Sequence, residues 1–147
     1  MKIMVSACLL GDNVKYDGTN NKNPGLINFL KNYEIVKVCP ECLGGLSIPR
    51  LPSEIQKDKV INTAGIDVSD KFYLGAKKTL QIVKENDIKI AILKKNSPSC
   101  GLGNIYDGTF THTLTNGDGI TAKLLKANGI KVFNEYNYIE LERKLYE

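Results

Sequence analysis

Apolar residues along this chain alternate between short continuous runs and helical stripes. Residues 2–7, Lys-Ile-Met-Val-Ser-Ala, are followed by a turn-rich stretch from Gly11 to Asn23 and predict a buried strand. Leu26, Ile27, Phe29 and Leu30 then form a short helical stripe over 24–31, with Asn23 as N-cap and Pro24 at the first helical position. Tyr33 to Val38 predicts a second strand, and the Pro- and Gly-rich stretch from Cys39 to about Lys57 a long loop. Val60 to Thr63 fits a short edge strand. Asp67 to Asn86 gives the clearest helix, its apolar residues Phe72, Leu74, Ala76, Leu80, Ile82 and Val83 close to helical spacing. Asp87 to Leu93 is near-continuously apolar, the pattern of a parallel strand covered on both faces. Ser97 to Gly108 reads as loop, with a small hairpin suggested by weak alternation over 106–114. A helix over 119–128 stopped by Gly129, a strand over 130–133 and a terminal helix over 136–146 complete the chain.

This order of elements predicts an α/β fold with a mostly parallel sheet and helices on both faces, a Rossmann-like three-layer architecture. A chain of 147 residues suits one domain spanning 1–147. The net charge of +4 is too mild to announce a nucleic-acid binder, and Arg50 and Arg143 are the only arginines among its 20 basic residues. No apolar run approaches a bilayer span, and residues 1–5 carry no secretory leader pattern. A cytoplasmic protein is therefore expected. In that reducing setting its four cysteines read as metal ligands or catalytic groups rather than disulfides.

Three of those cysteines fall at equivalent places. Cys8 follows the first strand, Cys39 the second, and Cys100 the loop after the third long strand. Parallel strands would deliver all three thiols to the carboxyl edge of the sheet, where open α/β folds bind ligands. Cys42 completes a C-x-x-C pair with Cys39, a pattern shared by zinc ligands and redox dithiols, but Leu43-Gly44-Gly45 is a poor helix start for a thioredoxin-like dithiol. Soft thiolates without a histidine partner favour iron–sulfur or zinc. The single histidine, His112, reads as a solvated or core residue.

Around the thiols, Ser97 and Ser99 place hydroxyls beside Cys100, though both also suit turn formation. Glu41 lies between two cysteines and fits a general base, or a solvated loop acid. Arg50 fits an anion clamp or a structural ion pair, and Asp17 sits in a further candidate binding loop.

Taken together, Ser6-Ala7-Cys8-Leu9-Leu10-Gly11, Val14-Lys15-Tyr16-Asp17-Gly18, Val38-Cys39-Pro40-Glu41, Ser97-Pro98-Ser99-Cys100-Gly101 and Gly117-Asp118-Gly119-Ile120-Thr121-Ala122 resemble the thiouracil desulfidase family. The resemblance implies a [4Fe–4S] cluster held by Cys8, Cys39 and Cys100, with one iron left free to act as a Lewis acid. It implies Glu41 and Ser97 as acid/base and substrate-side groups; Ser99, Arg50 and Asp17, read from their loops, are expected as further substrate contacts. The implied reaction removes sulfur from a thiolated pyrimidine-type base and releases hydrosulfide. Cys42 departs from the family pattern, standing where an apolar residue is more usual, and is an additional candidate ligand. Two other functions fit the cysteines: a non-catalytic zinc protein that uses all four thiols, and a cluster-based carrier handing sulfur to an acceptor protein.

Overall fold

The computed structural model of the chain describes residues 1–145. Four parallel strands form its central sheet: β1 (Lys2–Ser6), β2 (Glu34–Val38), β5 (Ile90–Leu93) and β8 (Lys131–Asn134), in the order β2-β1-β5-β8. Ile3 pairs with Ile35 on one side and Ile90 on the other, and Ile92 pairs with Phe133. Strand alternation divides the core into two layers. Ile3, Val5, Ile90, Ile92 and Phe133 pack with Leu26 and Leu30, from α1 (Pro24–Phe29) and the 3₁₀ turn after it, and with Leu141 of α5 (Glu140–Leu145). Met4, Ala91 and Leu93 face Val83 of α3 (Ser69–Glu85) and Ala122 and Leu125 of α4 (Ile120–Ala127). All four residues of β5 are buried, as its unbroken apolar run requires. The α/β, three-layer reading therefore holds.

The chain leaves β1 toward β2 on one side of the sheet and reaches β5 and β8 on the other. The strand order thus reverses between β1 and β5, and the crevice beyond their carboxyl ends is the topological switch point.

The structure revises several local expectations. The stretch after Cys39 is not all loop. Pro40 opens a one-turn helix, α2 (Pro40–Leu43), which Gly44 and Gly45 end, and β3 (Ser53–Gln56) follows. The expected edge strand at 60–63 is present as β4 (Lys59–Asn62), in a separate sheet where it pairs antiparallel with β3 across a turn in which Lys57 has positive φ. The second hairpin pairs β6 (Asn104–Tyr106) with β7 (Leu114–Asn116). Residues 107–113 are its loop, because Gly108, Phe110 and His112 all take positive φ and break the extended backbone. The final helix starts at Glu140, and Tyr146, its expected end, lies outside the described residues.

Candidate active site

Each loop that carries a candidate thiol is held by local backbone bonding. Cys8 sits in a 3₁₀ turn (Ala7–Leu10) continuing β1, and its carbonyl accepts from Gly11 N at 3.3 Å and Asn21 N at 2.9 Å. Cys39 is the N-cap residue of α2, so Pro40, Glu41 and Cys42 follow it as the first helical turn. Cys100 ends a tight turn in which Gly101 N donates to Ser97 O at 2.8 Å. The amino end of α4 caps that turn, with Ile120 N donating to Pro98 O at 2.8 Å and Thr121 N to Ser99 O at 2.9 Å. Gly119 makes this approach possible, because a Cβ there would lie 2.5 Å from the Ser99 carbonyl. The Gly-Asp-Gly-Ile-Thr-Ala block and the Ser-Pro-Ser-Cys-Gly block are therefore two halves of one packed unit.

Cys8, Cys39 and Cys100 open on a single cavity of about 430 Å³ at the switch point, whose wall also contains Glu41, Ser97 and Arg50. Cys100 is the deepest thiol. It is 5% exposed and packs against the core on its far side, while Ser6 Oγ donates to its sulfur at 3.5 Å. Burial raises the pKa of Cys8 and pushes those of Cys39 and Cys100 up to about 12. Without a cation these thiols stay protonated, whereas a bound metal deprotonates a coordinating thiol.

Ser97 both shapes its turn and faces the cavity. Its Oγ accepts from Ser99 N and Cys100 N, each at 3.0 Å. With both lone pairs taken, the hydroxyl has its proton left to give. Burial raises the Glu41 carboxyl above the usual carboxylate range, and the Arg50 guanidinium opposes that rise. Arg50 Nε lies 3.3 Å from Glu41 Oε1, while its Nη1 and Nη2 donate to Ser47 O and Val14 O. The arginine thus reaches the cavity with its donors directed at protein groups.

Three candidates stand elsewhere. Asp17 is exposed, and its carboxylate accepts from Thr19 N at 3.0 Å and from the Thr19 hydroxyl, closing a turn. Ser99 is 1% exposed and shares a 2.9 Å hydrogen bond with Thr121, behind the cavity wall. Neither is among the cavity-lining residues. Cys42 is not in the wall either. It neighbours Cys39, and both its thiol and its backbone N–H act on the Cys39 sulfur. Among the described residues no three of His, Cys, Asp and Glu could hold a single metal ion. A mononuclear zinc site would need its sulfurs about 3.7 Å apart.

Sequence reading missed part of this wall. Lys94 Nζ pairs with Glu135 Oε2 at 2.8 Å, and Glu135 Oε1 accepts from Lys95 N at 2.7 Å. Lys94 lowers the Cys8 pKa against the larger effect of burial. Only a contact across 41 residues joins this pair, and no local pattern announces it. Tyr106 and His112 also line the cavity; His112 is exposed, as a solvated histidine should be, but stands at the cavity rim.

This arrangement has close counterparts. A solved structure titled "[4Fe-4S]-dependent thiouracil desulfidase TudS" matches with a TM-score of 0.92 and 41% identity, covering 99% of this chain and 97% of that one. A Bacillus subtilis (strain 168) protein named "Uncharacterized protein YbbK" is 40% identical over 143 residues, which cover 90% of this chain and 95% of its own length. The profile of the 2-thiouracil desulfurase family matches residues 3–137, a span that takes in all three cavity thiols. With fold and sequence in agreement over nearly its whole length, the chain belongs to the 2-thiouracil desulfurase family.

Proposed function

We propose that this chain, as one domain working in the cytoplasm, is a [4Fe–4S]-dependent desulfidase that removes sulfur from thiolated pyrimidine-type rings and releases hydrosulfide. The observation that carries the reading is the meeting of three thiols, from the segments that follow three separate strands, on one cavity that also holds Glu41 and Ser97. The donor set fits the cluster. It is all soft sulfur, it is spread around a cavity rather than converging on one ion, and Cys42 lies outside the wall.

In this reading Cys8, Cys39 and Cys100 hold the cluster, which supplies a soft Lewis acid with one position free of protein ligand. The chain's own groups do the rest. Ser97, with only its proton free, donates to the ring edge and orients the thiocarbonyl. Glu41, raised by burial, takes a proton from the attacking water and returns it as the C–S bond breaks. Arg50 keeps that carboxyl in place. Overall a thiocarbonyl and one water become a carbonyl and hydrogen sulfide, so no electrons are gained or lost.

Anaerobic reconstitution should give protein with iron, acid-labile sulfide and a broad visible absorbance, and this protein should release sulfide from 2-thiouracil. Cys100→Ala should lose both properties. Bound zinc without labile sulfide would overturn the reading. Sulfide release seen only with an added acceptor protein would replace catalysis with sulfur carriage.

A further inference from the structure

We propose that Tyr106 and His112 form the seat for the substrate's planar ring and set the enzyme's preference for heteroaromatic thiones, a proposal that rests on the desulfidase reading above. Both residues line the cavity that holds the three thiols. Their rings stand 6.2 Å apart at 84°. A flat ligand stacked on the open face of one ring lies perpendicular to the other. One ring thus supplies stacking area and the other a polar contact to the ligand's rim.

The backbone beneath these rings is fixed from several sides. Glu54 is 8% exposed, and its Oε1 accepts from Gly108 N at 2.9 Å and Phe110 N at 3.2 Å. Gln56 Nε2 donates to Gly108 O at 2.8 Å. Asp107 N donates to Thr113 O at 2.9 Å, closing the loop. Hydroxyls of Thr109, Thr111 and Thr113 form a chain with links of 2.6 and 2.8 Å along it. This bonding holds Phe110 at φ 58° and His112 at φ 60°, a left-handed conformation that costs free energy in any residue but glycine.

The side-chain tips, by contrast, are uncommitted. Neither the imidazole nitrogens of His112 nor the Tyr106 hydroxyl has a hydrogen-bond partner among the described residues, and both are open to solvent. A strained, over-determined backbone that places two rings in the wall of a reactive cavity is organised for a ligand rather than for its own stability.

The chain's single histidine gives a direct readout. Uracil, the product, should shift the imidazole C–H proton resonance of His112 saturably when titrated into anaerobic, cluster-loaded protein. Tyr106→Leu should raise KM for 2-thiouracil about tenfold and weaken calorimetric binding of uracil to match, with kcat and iron content held. Tyr106→Phe, which keeps the ring but loses the hydroxyl, should raise KM by less than Tyr106→Leu does. His112→Asn and His112→Gly both tolerate the left-handed backbone and both lose the imidazole, so both should raise KM. An unmoved resonance with unchanged KM would overturn the proposal while leaving wild-type sulfide release, and the desulfidase reading, intact. Loss of kcat or iron with KM unchanged would assign the loop a structural role and overturn it as well. Wild-type protein that neither binds uracil nor releases sulfide would overturn both readings.

Discussion

Arg50 Nε lies 3.3 Å from Glu41 Oε1, with the arginine side chain 7% exposed and the glutamate 20%. The pair ties the loop after α2 to the helix carrying Glu41, and Nη2 extends the tie to Val14 O at 2.8 Å. Arg50→Met leaves that carboxyl buried without its partner and should cost about 3 kcal/mol. Adding Glu41→Gln removes the uncompensated charge, so the double variant should lose less than the two single losses combined. The pH dependence has a definite sign. Burial already holds the Glu41 pKa above its unfolded value, and Arg50 opposes that rise, so removing Arg50 raises the pKa further. A raised carboxyl stabilises the fold when protonated and loses that contribution as pH increases through the folded pKa. Urea unfolding of Arg50→Met should show a larger deficit at mildly alkaline than at mildly acidic pH.

Cys42 separates cluster ligation from mere proximity. It lies beside Cys39 yet outside the cavity wall. Cys42→Ala should therefore retain iron and acid-labile sulfide after anaerobic reconstitution, while Cys8→Ala, Cys39→Ala and Cys100→Ala each lose most of both. A Cys42→Ala protein without iron would make this thiol a ligand and close the open position.

Much of this architecture was legible because it rests on local periodicity. The apolar run at 88–93 could only be a strand covered on both faces, and the stripe over Phe72, Ala76 and Val83 could only face a core. Cysteines at three strand ends were legible for the same reason, since parallel topology converts equivalent chain positions into spatial neighbours. What stayed hidden depends on contacts distant in sequence. The β3 strand carries Ser, Glu and Gln and has no apolar run; its identity comes from pairing with β4 and from Glu54 reaching the 108–110 backbone. His112 offered no local sign of a role, because its place in the wall is set by that distant carboxylate. Asp17 and Ser99 mark a second limit of local reading. Both stand in loops near the thiols, but their side chains are occupied by Thr19 and Thr121.

Ser97 and Ser99 test that distinction directly. Ser97→Ala removes the hydroxyl that faces the cavity together with the acceptor for two backbone N–H groups. It should reduce kcat by about 10²-fold, the usual scale for losing one positioned donor. Ser99→Ala breaks a buried hydroxyl pair with Thr121 and should cost about 1–2 kcal/mol of stability, with KM and kcat within about twofold of wild type, well below that catalytic loss. Steady-state kinetics with urea denaturation on both variants checks the contrast.

Gly44 and Gly75 let α2 and α3 approach closely beneath the site. A Cβ on Gly75 of α3 would collide with the Pro40 carbonyl of α2, and one on Gly44 would collide with the Lys71 carbonyl of α3. Alanine within a helix ordinarily adds about 1 kcal/mol relative to glycine. At Gly75 the sign should reverse, because the added methyl pushes α2 away and displaces both Cys39 and Glu41. Gly75→Ala should lower stability by about 2 kcal/mol net, within the usual cost of overpacking. It should also reduce iron uptake even though residue 75 is not in the cavity wall. Parallel measurement of urea midpoint and iron content decides the matter, since a variant as stable as wild type with full iron would show that α2 does not need this contact to hold the site.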